Sequence, residues 1–244
     1  MAFEKPAIFK KMINFSKQTL LVIAPHPDDE VLSCAGLIDK IKKYNGKVYV
    51  LIVTVGNLDQ LGRNKSDMKI RTKEVADAMK ILRVDGFEIG LVGKKYHMKL
   101  DTISQMELVN LIESKSSVSL DTVRPSIVCF PYIDSYNQDH RAVAQAAFSA
   151  LRPRPKKYRH LVPMALMYEH PDMAWSMSSF KPNCIVDISD HLDIKIEALR
   201  KYKSQQHRDP HIMSAENVRR IAQIRGSEIG VSAGEAFMQM RLII

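Results

Sequence analysis

Two short segments of the sequence carry side chains that could hold a metal ion. The first, Pro25–Glu30, places one histidine and three carboxylates directly after an apolar run. The second follows another apolar run and ends in Asp139-His140. Imidazole nitrogens and carboxylate oxygens bind Zn²⁺, and three protein ligands leave a coordination position open, as is typical of catalytic zinc sites. His26, Asp29 and His140 could supply such a set.

The first segment also has a purely structural interpretation when it is taken alone. Asp28 or Asp29 could cap the N-terminus of a helix, and Glu30 could lie in its first turn, where acidic residues are favoured. His26 would then be an ordinary polar residue. Pro27 fixes its own φ angle and stiffens the loop, which favours a role that depends on geometry. If the segment that contains Asp139-His140 lies beside this one in the folded chain, a metal site is favoured over the structural interpretation.

The apolar patterns around these segments predict the elements that would position them. Short apolar runs, typical of strands buried on both faces, alternate with apolar residues at helical spacing. Strands are predicted at residues 20–25, 47–55, 87–92 and 126–131, further apolar runs lie at 163–168 and 184–188, and helices are predicted near 31–41, 68–82, 104–114, 140–151, 190–203 and 214–225. This alternation predicts an α/β protein with a Rossmann-like, mostly parallel sheet, helices on both faces and a single domain over residues 1–244. Sites in such sheets form where loops leave the carboxyl ends of strands, so both segments should meet at one edge.

The composition restricts the class of protein. The chain has 244 residues, of which 45% are hydrophobic and 26% are charged, so it is neither disordered nor fibrous. Three cysteines embedded in apolar runs predict reduced thiols, which favours a cytoplasmic location. The N-terminal residues lack the apolar core of a signal peptide, and no run reaches the roughly 18 apolar residues of a membrane span. We therefore expect a soluble, cytoplasmic protein.

The net charge of +9 favours an anionic partner. The densest positive segment is residues 152–159, which could clamp the phosphates of a nucleotide-linked or phosphorylated substrate or could be a solvated loop. Nucleic acid is disfavoured as a partner because this segment lacks interleaved aromatic residues for base stacking and no nucleic-acid-binding motif accompanies it.

The two chemical segments resemble the motifs of a known family. Pro25–Glu30 resembles the Ala-His-Pro-Asp-Asp-Glu signature of the PIG-L/LmbE-like zinc-dependent N-acetylglucosaminyl deacetylases, and residues 139–143 are similar to that family's second metal-binding motif. The resemblance covers most of the chain and includes Arg71-x-x-Glu74 and residues 234–237, which are similar to a common Ala-Glu-Ala-Phe.

The resemblance implies a function and a role for each site residue. It implies that His26, Asp29 and His140 bind zinc, and that Asp28 is the base that activates a zinc-bound water for removal of an N-acetyl group from an amino sugar. Two histidines and a carboxylate also suit Fe²⁺. The family resemblance further implies that a homo-oligomer, a trimer or a hexamer, is possible.

Other positions of the family pattern are less uniform here. Many relatives have a histidine three residues before the last ligand, where this chain has Asn137. An amide can donate a hydrogen bond to an oxyanion but cannot transfer a proton, so we expect Asn137 to act only as a donor. Arg71 aligns with a substrate-pocket arginine, although a surface residue paired with Glu74 or Glu113 is an alternative. Tyr136 is a second candidate for substrate binding.

Six of the eight histidines lie outside both motifs. The position of His170 after an apolar run favours a substrate-binding role over metal ligation, and His97, His160 and His191 are expected to be surface residues.

The leading hypothesis is a metal-dependent deacetylase acting on a glycan, nucleotide-sugar or natural-product intermediate. The alternatives are an amidase of the same family that cleaves a different acyl or thiol conjugate, and a non-catalytic Rossmann-like binding protein. The last alternative is disfavoured because this chain has no Gly-x-Gly-x-x-Gly after its first predicted strand.

Overall fold

A computed structural model describes residues 13–60, 64–155, 157 and 159–244. Nine strands and seven α-helices are described within these residues. In chain order they are β1 (Thr19–Ala24), α1 (Asp29–Lys43), β2 (Lys47–Val55), β3 (Leu58–Gln60), β4 (Asn64–Ser66), α2 (Met68–Leu82), β5 (Gly86–Val92), α3 (Gln105–Asn110), α4 (Leu120–Val123), β6 (Ile127–Pro131), α5 (Gln138–Ala150), β7 (Met164–Tyr168), β8 (Cys184–Asp187), α6 (Leu192–Leu199), α7 (Ala215–Ser227) and β9 (Gly234–Leu242). A π-helical turn, Leu111–Lys115, continues α3. The elements agree closely with the periodicity of the sequence.

Seven of the strands form one sheet in the order β5-β2-β1-β6-β7-β9-β8. The pairs from β5 through β7 are parallel, whereas β9 is antiparallel to both β7 and β8. The α/β fold with a mostly parallel sheet is therefore confirmed. The sequence did not predict β9 as a strand, nor β3 and β4, which pair in the antiparallel direction.

Both faces of the central strands are buried, which explains their continuous apolar sequences. Leu20 and Val22 of β1 pack in a core with α1, α2, α6 and α7. Leu21 and Ile23, the alternating residues, pack in a second core with α3 and α5 on the other face. The sheet is thus a fixed platform, and the loops at its edges are held from both sides. Within the described residues, no helix combines the length and the hydrophobicity that a membrane span requires.

Candidate metal centre and active site

The two motif segments lie side by side because of the strand order. Strands β1 and β6 are parallel neighbours, with Leu20 opposite Ile127 and Val22 opposite Cys129. From β1 the chain continues to β2 on one side, and it later returns through β6 on the other. The loops that follow β1 and β6 consequently leave the same edge of the sheet in opposite directions, and the crevice between such loops is the usual site position in this type of sheet.

Three side chains meet in this crevice with a spacing that suits a metal ion. The ligand atoms of His26, Asp29 and His140, all buried, lie within 4.8 Å of one another. Asp29 Oδ2 is 3.6 Å from His26 Nδ1 and 3.3 Å from His140 Nε2. Tetrahedral bonds of the usual length to zinc place ligand atoms roughly 3.3 Å apart. The donor set and its spacing therefore fit a divalent metal.

A second carboxylate fixes the ring of His26. Asp139 Oδ2 lies 2.8 Å from His26 Nε2, and Asp139 Oδ1 accepts a hydrogen bond of 2.9 Å from the Leu100 backbone N–H. This contact makes Nε2 the protonated nitrogen and leaves Nδ1, which faces Asp29, free to bind a cation. Carboxylates commonly orient metal-binding histidines in this way. Asp139 belongs to the second motif, but the sequence indicates no separate role for it.

His170 contacts the other oxygen of Asp29. Its Nδ1 lies 2.6 Å from Asp172 Oδ1, and its Nε2 lies 3.1 Å from Asp29 Oδ1. Burial acts to lower the pKa of His170, but Asp172 and Asp29 outweigh it and raise the pKa to about 10. A cationic ring between two carboxylates orients Asp29 so that its Oδ2 faces His26 and His140. No local sequence signal connected His170 with Asp29.

Asp28 has an unusual backbone at the start of α1. Its φ of 96° and ψ of −26° lie in the left-handed region, and its side chain does not cap the helix. Such a conformation costs on the order of 1–2 kcal/mol in a residue other than glycine, and strain of this kind is concentrated at functional sites. Burial, together with the adjacent charge of Asp29, raises the pKa of the Asp28 carboxyl to about 7.

Two neighbouring glutamates anchor the segment that follows α6. Glu30 accepts hydrogen bonds from the backbone N–H of Asp28, at 3.2 Å, and from the hydroxyl of the buried Tyr202. Glu74 accepts from the backbone N–H and the hydroxyl of Ser204, at 2.7 and 2.6 Å. These bonds hold the 202–204 segment against the start of α1 and against α2.

Arg71 is buried, so the surface alternative for this residue is wrong. Its Nη1 donates to the Gly56 carbonyl at 3.2 Å and to His97 Nε2 at 3.0 Å. His97 was expected at the surface but is buried, and its ring lies edge-on to His26 with centroids 5.1 Å apart. Burial, followed by the charges of His26 and Arg71, lowers the pKa of His97 to about 3. His191, also expected at the surface, is buried as well.

Asn137 and Tyr136 lie on the loop after β6. Asn137 is the N-cap of α5, and its Oδ1 accepts from the Asp139 backbone N–H at 2.9 Å. Only its Nδ2 is left to donate to a substrate. Tyr136 is 46% exposed at the rim. Arg141 Nη1 donates to the carbonyls of Ser135 and Tyr136 at 2.8 and 2.6 Å, so this arginine braces the loop.

A groove of about 730 Å³ adjoins His170. Its walls are the segment after β7, the segment before α7 and α7 itself, and its apolar side chains include Met177, Phe180, Ile212 and Ile224. The charged pair in this groove is internally balanced, because Arg225 Nε and Nη2 both donate to the Glu169 carboxylate. The groove therefore offers apolar side chains together with polar ones, and no unpaired arginine or lysine among its lining residues, beside His170.

Arg152 and Arg159 of the basic segment 152–159 lie away from this site. The segment follows α5, which starts at the rim and extends for about 20 Å toward the opposite edge of the sheet. Arg152 and Arg159 both form ion pairs with Glu113, and Arg159 also contacts Asp121 at 3.1 Å. These ion pairs favour the structural interpretation of the two arginines over a substrate clamp, and Lys156 and Tyr158 lie outside the described residues.

Comparison with known proteins gives matches in sequence. The PIG-L family model, GlcNAc-PI de-N-acetylase, matches residues 21–151, which include both motif segments. The chain is 29% identical over 201 residues to the probable N-acetyl-alpha-D-glucosaminyl L-malate deacetylase 2 of Bacillus subtilis (strain 168), over 78% of this chain and 84% of that protein.

Solved structures share the fold. The conserved protein TT1542 of Thermus thermophilus superposes with a TM-score of 0.71 at 24% identity, covering 93% of this chain and 96% of that one. The 4-carboxy-2-hydroxymuconate hydratase GalB of Pseudomonas putida KT2440 superposes with a TM-score of 0.70 at 19% identity, covering 93% and 98%. Because one of these proteins is named as a hydratase, the fold alone does not determine the reaction.

Proposed function

The chain belongs to the PIG-L family of de-N-acetylases, and on that premise we propose that it is a metal-dependent hydrolase that removes the N-acetyl group from an amino-sugar substrate. One observation carries the proposal: the buried His26, Asp29 and His140 converge at metal-binding distances, with the Asp28 carboxylate next to them in the chain. The similarity to a probable glucosaminyl malate deacetylase supports the amino-sugar part of the substrate.

His26, Asp29 and His140 would hold the metal through two nitrogens and one carboxylate oxygen. We propose Zn²⁺, and Fe²⁺ also suits this donor set. When bound, the metal supplies a Lewis acid that polarises the acetamide carbonyl and lowers the pKa of a water molecule. The outer carboxylate of Asp139 keeps His26 in the tautomer that can bind, and His170 keeps Asp29 Oδ2 turned toward the two other ligands.

Asp28 is the proposed general base. A carboxylate in this position takes a proton from the attacking water and afterwards delivers it to the amine that leaves. Its side chain makes no helix-capping hydrogen bond, although capping is the alternative use of an aspartate at this position. Asn137 cannot share the proton transfer, so both transfers fall to Asp28 unless another group contributes.

Arg71 and Asn137 are the proposed groups that bind negative charge on the substrate. The Arg71 guanidinium is buried, and its Nη1 donates to two neutral acceptors, the Gly56 carbonyl and His97. A buried cation held by neutral acceptors can still interact with the oxygen that becomes negative during attack on the amide. Asn137 Nδ2 is a second donor, and Tyr136 at the exposed rim would contact the sugar.

The groove beside His170 is the proposed position of the substrate beyond its acetamide. Its volume is within the range of small-molecule sites, its lining combines apolar and polar side chains, and its one arginine is already paired with Glu169. An uncharged conjugate of the amino sugar fits this surface better than a phosphorylated one. A larger acyl group in place of acetyl is the alternative that the same residues would allow.

The test is release of acetate from a panel of N-acetylglucosamine glycosides, together with analogues that carry longer acyl groups. Protein loaded with Zn²⁺ or Fe²⁺ should release acetate and bind about one metal ion per chain. His140→Ala should lose both the metal and the activity. The proposal is wrong if metal-loaded protein leaves every N-acetylated sugar intact, and preferential release of a longer acyl group would favour the amidase alternative.

A further inference from the structure

We propose that His97 is a positioning residue that fixes the orientation of Arg71 for the reaction. This inference rests on the proposed function, because it assigns Arg71 to the charge that develops on the substrate. It concerns a residue outside both sequence motifs, on the loop between β5 and α3. Three features of the structure support it: the direction of one hydrogen bond, the close packing of Gly56, and the anchoring of the loop.

The hydrogen bond between Arg71 and His97 has only one possible direction. A guanidinium has donors and no acceptor, so His97 Nε2 must accept from Arg71 Nη1 across their 3.0 Å contact. His97 is consequently a neutral imidazole with its proton on Nδ1. That Nδ1 is buried and has no hydrogen-bond partner among the described residues. An unsatisfied buried donor costs on the order of 1–3 kcal/mol. Stability alone would favour an apolar residue here, so the bond to Arg71 is the feature that a histidine adds.

The backbone around His97 leaves little freedom for a different arrangement. A Cβ atom at Gly56 would lie 2.4 Å from the Cβ of His97, so only glycine permits this approach. The same Gly56 supplies the carbonyl that is the second acceptor for Arg71 Nη1. The end of β2 and His97 thus hold one nitrogen of the guanidinium between them.

The loop that carries His97 is itself fixed to the metal-binding side. The Leu100 backbone N–H donates to Asp139, which orients His26, and Gln138 Nε2 donates to the Met98 carbonyl at 3.2 Å. A single short loop therefore supports a ligand on one side and Arg71 on the other. The position of the guanidinium relative to the metal-binding residues is set through this loop.

Without His97, the balance of charges around Arg71 would change its position. Asp28, Asp29 and Glu74 all act electrostatically on Arg71, yet no carboxylate among the described residues forms an ion pair with it. Removal of the His97 acceptor frees Nη1, and the carboxylate with the strongest electrostatic effect on Arg71 is that of Asp28. An arginine drawn onto Asp28 would be withdrawn from the substrate and would also occupy the base.

The experiment compares His97→Ala, the conservative His97→Gln, and Gly56→Ala, in metal-loaded full-length protein. A displacement of about 1 Å at a reacting group lowers activity by roughly 100-fold, so we expect a loss of about that size in kcat for His97→Ala. KM should change much less, and the metal content should be unchanged. His97→Gln retains an acceptor near the Nε2 position and should recover most of kcat, whereas Gly56→Ala should reproduce the loss because it displaces His97.

A double-mutant cycle identifies the route of the effect. In an Arg71→Ala background, His97→Ala should cause no further loss of kcat, because the two residues act as one unit. His191→Ala is the matched control. His191 is also a buried histidine, and its ring contacts Asp39 in the second half of α1, so the substitution should leave kcat unchanged.

Several results would overturn the inference. These are wild-type kcat in His97→Ala, full additivity with Arg71→Ala, or a loss that excess metal reverses, which would place the effect on His26. A ¹⁵N NMR spectrum of the wild-type protein provides a readout that needs no turnover, and a proton on His97 Nε2 would contradict the bond direction. If the wild-type protein itself releases no acetate, the proposed function fails, and this NMR prediction can still be tested separately.

Discussion

Helix α1 bears buried charged groups at both of its ends, and the two sets differ in how completely they are paired. In the second half of the helix, Asp39 contacts His191 Nδ1 at 2.7 Å and Arg83 at 2.5 Å. The nearby Glu235 accepts from the backbone N–H groups of residues 36 and 37, both at 2.8 Å, and from Lys195 at 2.7 Å. Each of these carboxylates has opposite charge or N–H donors against its oxygens.

At the N-terminal end the pairing is incomplete. Three buried side-chain nitrogens around this end, Arg71 Nε, His97 Nδ1 and His140 Nδ1, lack a hydrogen-bond partner within the described part of the chain. Asp28 and Asp29 are adjacent carboxylates, which raise each other's energy when both are charged. Native structures leave few buried polar atoms unpaired, so their concentration in one place needs a reason.

The comparison separates two uses of buried charge. A fully paired cluster fixes one arrangement of the chain, and its removal should cost stability and leave turnover alone. An incompletely paired cluster gives up some stability and retains groups that can bind a metal or a substrate. Mutations at the two ends of α1 should therefore affect different measurements, and this separation can be tested.

The largest effect is expected for Asp28→Asn. Asparagine tolerates a left-handed backbone at least as well as aspartate, and the change removes a charge next to Asp29, so the free energy of unfolding should be unchanged or slightly higher. Turnover should fall by roughly 10²–10⁴-fold, the usual contribution of a general base. Urea denaturation and acetate release measure the two quantities, with metal content as the control. Wild-type turnover with bound metal would remove Asp28 from the mechanism.

Lys195→Met should have the opposite profile. It leaves the buried Glu235 carboxylate without its cation, which costs on the order of 3–5 kcal/mol in the free energy of unfolding. At a temperature where the variant is folded, kcat/KM should match the wild-type value. Arg219→Met is the control, because its ion pair with Asp193 is exposed and should contribute less than about 1 kcal/mol. A large loss of kcat/KM in folded Lys195→Met would contradict the separation.

Asn137 is the residue at which the two uses overlap, and its effects should be the smallest. Asn137→Ala removes the N-cap of α5 and should cost about 1 kcal/mol, whereas Asn137→Ser preserves the cap and should cost only a few tenths. If Nδ2 donates to the substrate as proposed, both variants should lose roughly tenfold in kcat, the value of one ordinary hydrogen bond. Full activity in Asn137→Ser would limit this residue to capping.

The strands and helices of the central sheet could be predicted because their signals are local. β1 and β6 are continuous apolar runs, and the alternation with helices requires parallel pairing. β9 was missed because it pairs with β7 and β8, which precede it in the chain, and it inserts between them in the antiparallel direction. No local pattern specifies such an insertion, because the position of β9 depends on its pairing with two strands that are distant in the sequence.

The sequence by itself predicted the candidate metal-binding set, because His26, Asp29 and His140 lie in compact motifs that follow predictable strands. Only the tertiary structure decided the groups proposed to orient this set and Arg71. His97, His170 and the second role of Asp139 each depend on contacts between loops that are distant in the chain. The physical reason is that each ligand motif is a few consecutive residues after a strand, which a local pattern can identify. An orienting group can come from any element that the fold brings to the same edge of the sheet, so no local pattern identifies it.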